Sequence, residues 1–186
     1  MAARGFTVIE LMATLAVAAL LLSLAAPSFQ RLIATHRSAA AMNQMAGAVN
    51  LARSLAVTSG AVVTLCPGRG SECLGRDQWH RGALIFVDHN RNGTLDADER
   101  VDRALPPLEP GERIYWRSFR NRTYLQFHAR GYTRWQNGNF LYCSPGGDAG
   151  LARMAIINPP GRLRSARDRD GDGVVEDAAG RPVVCP

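Results

Sequence analysis

Lysine is missing from the 186 residues, so all 22 basic side chains are arginine, set against 16 acids. The formal net charge of +6 is therefore carried by planar, permanently charged groups suited to gripping phosphate or carboxylate in pairs. Cysteine is scarce: Cys66, Cys73, Cys143 and Cys185 all follow the long apolar segment, without a Cys-x-x-Cys pair or a histidine-rich spacing. That scarcity favours disulfides in an oxidising compartment over a metal. Also missing are internal repeats, low-complexity tracts, a phosphate-cradling glycine loop, paired acids and any nucleophile with its base and orienting group. The chain therefore reads as a structural and binding protein, not an enzyme. With 46% hydrophobic residues it is long enough for one substantial core.

What is present begins at the N-terminus. From Phe6 to Ala26 only Thr7, Glu10, Thr14 and Ser23 interrupt an apolar run, and as a helix this run spans roughly 30 Å, enough for a bilayer. A secretory signal would place its cleavage site after such a run. Here the short basic leader Met1-Ala2-Ala3-Arg4-Gly5 ends in its small residue before the run, so cleavage there leaves the anchor attached, and Arg4 holds the leader on the cytoplasmic side.

The heptapeptide Gly5-Phe6-Thr7-Val8-Ile9-Glu10-Leu11 resembles the prepilin processing site of type IV pilins and type II secretion pseudopilins. The resemblance implies cleavage after Gly5 by a prepilin peptidase, N-methylation of the new terminal Phe6, and a role in assembly for Glu10. A lone carboxylate in an apolar helix is costly in lipid, and the amine of a neighbouring subunit's Phe6 is its expected partner. The implied location is the bacterial inner membrane, single-pass, with a periplasmic head, and then a filament of pilins or pseudopilins joined through the N-terminal helix. Pro27 also fits that family.

Residues 28–59 are Ala-rich and free of further proline, with Leu32, Ala39, Met42, Met45, Ala46, Val49, Ala52, Leu55 and Ala56 at helical intervals. They predict an amphipathic continuation of the anchor that leaves Arg31, His36, Arg37 and Arg53 wet and ends at Gly60. Beyond it, Ala61–Leu65, Gly82–Val87, Arg113–Trp116, Thr123–Phe127, Phe140–Tyr142 and Met154–Ile157 are short β-branched or apolar runs separated by turn residues. The expected fold class is α+β, a long N-terminal helix on an antiparallel sheet. Its divisions are a leader at 1–5, a transmembrane and assembly helix at 6–27, an amphipathic spine at 28–60 and a β-rich head at 61–186. The segments ARSLAVTSG, VTLCP and ALIFVDHNRNGTLDADE resemble the GspH/FimT branch of type IV pilin-like proteins.

Cys66 and Cys73 bracket a Pro/Gly-rich excursion whose ends can meet, which pairs them and leaves Cys143 for Cys185; two other pairings stay open. Asp88 to Glu99 satisfies the EF-hand loop pattern at its first, third, fifth, sixth, ninth and twelfth places. Its flanks are not helices, however, and Asx turns in a hairpin are the expected use. Asp168-Arg169-Asp170-Gly171-Asp172-Gly173 is a second acidic loop, with Ala179 at the twelfth place. The expectation is no cofactor, with calcium at Asp168, Asp170 and Asp172 as the alternative.

Between Arg113 and Trp135 six arginines, Arg117, Arg120 and Arg122 among them, interleave with seven aromatics and no acid. That is either a nucleic-acid surface or a set of strands with aromatics inward and arginines outward. Gly161-Arg162-Leu163-Arg164 resembles the GRxR motif of FimT-type minor pilins, which implies DNA binding through Arg162 and Arg164 during natural transformation. The leading expectation is a DNA-binding minor pilin. The alternatives are a type II secretion pseudopilin and a pilus-priming pilin without a DNA role.

Overall fold

The computed structural model describes Gly5, residues 7–133 and residues 135–186, with only the backbone of Leu24. The leader residues Met1–Arg4, the methylation residue Phe6 and Arg134 lie outside the described residues. One helix, α1, covers Val8–Ser59 and includes Pro27. The chain falls into two compact units, Met1–Arg37 and Ser38–Pro186.

In the first unit α1 is long and apolar enough to cross a membrane, and Ile9, Leu15, Leu21 and Phe29 are exposed. Its start is a capping box. Thr7 Oγ1 accepts from the Glu10 backbone N–H at 3.3 Å, and the Glu10 carboxylate accepts from the Thr7 N–H at 3.4 Å. Leu32, expected on the packing stripe, is exposed here.

In the second unit, α1 buries Ala41, Met42, Met45, Ala48, Val49, Ala52 and Ala56. This is the 3.6-residue stripe of a helix with one face against a core. Small residues along it let the strands approach closely, and Gly60, at φ 64°, ends the helix in the left-handed conformation that glycine tolerates. Arg53, expected to be wet, is half-buried, and its Nε donates to the Gly131 carbonyl at 2.8 Å.

Two antiparallel sheets complete the core. The first runs β2 (Glu72–Cys73), β1 (Val63–Arg69), β3 (Ala83–Val87), β4 (Val101–Leu105), with β6 (Leu125–Phe127) also paired to β1. The second runs β5 (Arg113–Ser118), β7 (Gly138–Cys143), β8 (Arg153–Ile157), β9 (Leu163–Ser165). Period-two alternation sends Val63, Leu65, Ile85, Leu125 and Phe127 of the first sheet, and Ile114, Trp116, Phe140, Tyr142 and Ile157 of the second, into one cluster with the helix stripe. At its centre Phe140 stacks on Trp116 at 4.3 Å and meets the edge of Trp79 at 4.8 Å.

Each sheet's other face has its own smaller cover. Leu95, Val101 and Tyr124 pack on Cys66, Leu84 and Phe86. Val174, Val175 and Val183 pack with Leu141, Met154 and Ile156. A disulfide serves each: Cys66–Cys73, seven residues apart, and Cys143–Cys185, 42 apart, with Cα separations of 5.7 and 5.8 Å. β4 is a free edge with a register shift opposite Ile85 and Phe86, and its Asp102 and Arg103 are exposed.

Candidate functional site

The sequence-predicted arginines separate into three places. Arg162 and Arg164 flank Leu163 at the start of β9, and alternation turns the half-buried Leu163 to the main core while both arginines stay exposed. The turn before them is tightly built. Asn158 Oδ1 accepts from the Arg162 N–H at 2.8 Å, and the Thr133 N–H reaches the Pro159 carbonyl at 3.0 Å. Gly161 has φ 79°, and a Cβ there would lie 2.4 Å from the Gly131 carbonyl oxygen, so this position requires glycine. Neither arginine has a carboxylate partner among the described residues.

Arg117, on β5, looks toward the second sheet's cover and lines a concavity with Asp177, Arg181 and Val183. Asp177 is paired with Arg181 at 2.8 Å, and backbone and side-chain hydrogen bonds from Arg181 hold its pKa below the usual carboxylate value. On this strand the arginine-outward reading holds, with Ile114 and Trp116 buried and Arg113 and Arg117 exposed.

Arg120 and Arg122 lie elsewhere, in a turn after β5, and line a cavity of about 310 Å³ with Arg91, Tyr124, Trp135 and Gln136. The Arg120 guanidinium stands 5.6 Å from the Trp135 ring centre, and that of Arg122 stands 6.0 Å from Tyr124. Trp135 belongs to the arginine-aromatic stretch read from the sequence, whereas Arg91 was not anticipated at this site: it comes from the Asp88–Glu99 loop on a left-handed backbone that spacing does not reveal.

Both acidic loops are hydrogen-bonded turns. Asp88, buried, accepts from the N–H of Asn92 and Gly93 and from the side chains of Thr64 and Gln126. Glu99 accepts from the N–H of His89 and Asp96. The EF-hand pattern here is used as a hairpin between β3 and β4. In the second loop, oxygens of Asp168, Asp170 and Glu176 lie within 4.8 Å of one another. Glu176 thus stands where Asp172 was expected, and Asp172 instead accepts from the Val174 N–H at 2.7 Å. The N–H groups of Gly171 and then Gly173 hold the Asp168 pKa below its ordinary value. The pKa of His80 is also lowered, first by burial and then by Arg113 and Arg81.

A model of the family described as type II transport protein GspH matches residues 41–161. The chain belongs to the GspH family. The GspH match covers the head from the helix stripe to Gly161, so Arg162, Arg164, the second acidic loop and Cys185 lie beyond the matched residues. Two crystal structures of the type IV minor pilin FimU from Pseudomonas aeruginosa share this GspH-family fold. One has a TM-score of 0.52 and 17% identity, covering 75% of this chain and 88% of that one. The other has 0.50 and 19%, covering 65% and 86%. No curated protein sequence matches significantly.

Proposed function

We propose that this GspH-family chain is a minor pilin that binds DNA without sequence preference through Arg162 and Arg164, for uptake into the cell. The observation behind the reading is the pair of exposed guanidinium groups flanking Leu163 on an edge strand, neither with a carboxylate partner among the described residues. Alternation aims them to one side, where they reach neighbouring phosphates. Phosphate contacts of this kind position a protein without reading bases. Arg120 and Arg122 add to the positive field.

In this reading the chain is cleaved after Gly5, methylated on Phe6 and held in the inner membrane before assembly. Intact mass of membrane-extracted protein tests that step through loss of residues 1–5 and gain of one methyl group. The Glu10 carboxylate meets the amine of a neighbouring Phe6 within the filament. A second reading, a pseudopilin of the type II secretion piston, is favoured by the description of the matching family model. Salt titration of duplex binding by the full chain in detergent separates the two. Each phosphate contact contributes a slope of about 0.9 in log affinity against log salt. Arg162→Ala with Arg164→Ala should flatten the slope by nearly two such units, and an unchanged slope in the folded variant favours the pseudopilin.

A further inference from the structure

Among the described residues, four non-glycine residues have left-handed backbones: Arg91 (φ 64°), Arg120 (63°), Asn121 (56°) and Trp135 (59°). Arginine and tryptophan side chains reach this region only against steric resistance, asparagine more readily, yet Arg91, Arg120 and Trp135 gather at one place. Arg91, Arg120 and Trp135 line the 310 Å³ cavity, and Asn121 adjoins Arg120 in the chain. They come from three separate loops, and unfavourable backbone concentrated around one concavity points to a site.

Each loop is held from outside. The Asp88–Glu99 turn fixes Arg91: the Asn92 N–H bonds both Asp88 and Asn90, and the buried Asp88 is tied in turn to Thr64 and Gln126. Gly93 lies so close to Tyr124 that a Cβ would overlap the ring at 2.1 Å. The Arg120–Asn121 turn is closed by the Arg122 N–H to Ser118 Oγ at 2.9 Å, and by the Arg76 guanidinium on the Asn121 carbonyl. Gln136 Oε1 accepts from the Gln126 N–H, anchoring the residue after Trp135. The rim is thus a built arrangement of three guanidinium groups, with none of the three in an ion pair among the described residues.

Of the protein's three tryptophans, Trp79 and Trp116 are 1% and 2% exposed, but Trp135 is 57% exposed. A flat aromatic face beside three phosphate-seeking cations suits a nucleotide, the base on the ring and the phosphates on the guanidinium groups. A duplex keeps its bases stacked inside and offers only phosphates to such a hollow. A single strand can turn a base outward.

We propose that the cavity between Arg91, Arg120, Arg122, Tyr124 and Trp135 takes an unpaired nucleotide, making this chain a receptor for single-stranded as well as duplex nucleic acid. The proposal rests on the DNA-binding reading but uses a different site from Arg162 and Arg164. Gly131 and Thr133, which seat the turn before Arg162, precede Trp135 closely in the sequence.

The test uses the full chain in detergent and three probes: a twelve-residue oligothymidylate, thymidine monophosphate and covalently closed plasmid. Oligothymidylate should quench the Trp135 emission, and Trp135→Ala should weaken its binding about tenfold or more, as expected for loss of one stacked base. Trp135→Phe should restore most of the affinity, whereas plasmid binding should change less than twofold. Thymidine monophosphate should bind at least 100-fold more weakly than the oligomer. The proposal falls if folded Trp135→Ala binds oligothymidylate like wild type, if plasmid and oligomer weaken equally, or if the monophosphate binds as well as the oligomer. The Arg162→Ala, Arg164→Ala variant separates the two readings. Plasmid binding that survives it removes the duplex reading alone, while loss of plasmid binding beside an unaltered Trp135 response removes neither. A wild-type chain that binds plasmid without quenching by oligothymidylate removes the cavity reading alone, and one that binds no probe removes both.

Discussion

The two Asp-Gly loops follow one hydrogen-bond plan in different surroundings. In each, the first aspartate takes the N–H of the glycine five places on, Gly93 for Asp88 and Gly173 for Asp168. In each, the fifth residue accepts from the seventh, Asn92 from Thr94 and Asp172 from Val174. A glutamate takes the N–H of the second residue, Glu99 from His89 and Glu176 from Arg169. Each loop then lays apolar side chains over the outer face of one sheet, Leu95 on the first and Val174 with Val175 on the second. The first loop, however, spends two amides, Asn90 and Asn92, on Asp96, and ties its buried aspartate to β1 and β6. The second keeps carboxylates at both amide positions and leaves its first aspartate exposed. One frame thus serves as a fixed mount in the first case and as an acidic surface turn in the second.

Cutting each cover's disulfide should give the largest contrast. On chain entropy, Cys143→Ser with Cys185→Ser should cost about 4 kcal/mol and Cys66→Ser with Cys73→Ser about 2 kcal/mol, read as shifts in urea midpoint. Equal losses would mean that loop closure does not distinguish the two covers. Next come the matched glycines. Gly93→Ala should cost about 3 kcal/mol, because backbone strain adds to overlap with Tyr124. Gly173→Ala meets nothing within 4 Å, and strain alone should cost about 1 kcal/mol. Thermal unfolding of the two variants compares them directly.

Making the first loop resemble the second, with Asn90→Asp and Asn92→Asp, replaces two donors by charges facing Asp96 and should lower stability by about 1–2 kcal/mol at pH 7. Added calcium tests the same contrast. Hydrogen exchange in wild-type residues 88–99 should not respond, since Asn90 and Asn92 stand where the second loop has Asp170 and Asp172, and their amides already hold Asp96. The smallest effect concerns acid. The pKa of Asp168 is lowered in the fold, so its contribution is complete above about pH 4 and is lost as pH falls through the lower folded value. Asp168→Asn should therefore flatten the pH dependence of the thermal midpoint below pH 4 and leave it unchanged near neutrality.

Much of the fold was readable because burial leaves a period. Met42, Met45, Val49, Ala52 and Ala56 mark the helix stripe, and the runs around Leu65, Ile85, Trp116, Phe127, Phe140 and Ile156 each lie in or beside a strand. β4 escaped because Val101-Asp102-Arg103-Ala104-Leu105 is a wet edge with no apolar alternation. Residues 113–135 read either as one arginine-aromatic surface or as strands with their arginines outward. The turn at Phe119–Asn121 instead sends Arg117 to one concavity and Arg120 and Arg122 to another. Arg120, Arg122, Tyr124 and Trp135 fall inside that stretch, but Arg91 joins their cavity from the Asp88–Glu99 loop, and the backbone angles that bring them together are not encoded in composition.

The free edge of β4 matters for any arrangement that lines up copies of this head. Tethered side by side, neighbours face one another at high effective concentration, where an unprotected strand invites lateral sheet extension. The register shift opposite Ile85 and Phe86 interrupts the ladder such an intruder would need, and Asp102 and Arg103 bring charges that a pairing neighbour would have to desolvate. Irregular pairing and exposed charge on one strand together disfavour its extension by a further strand.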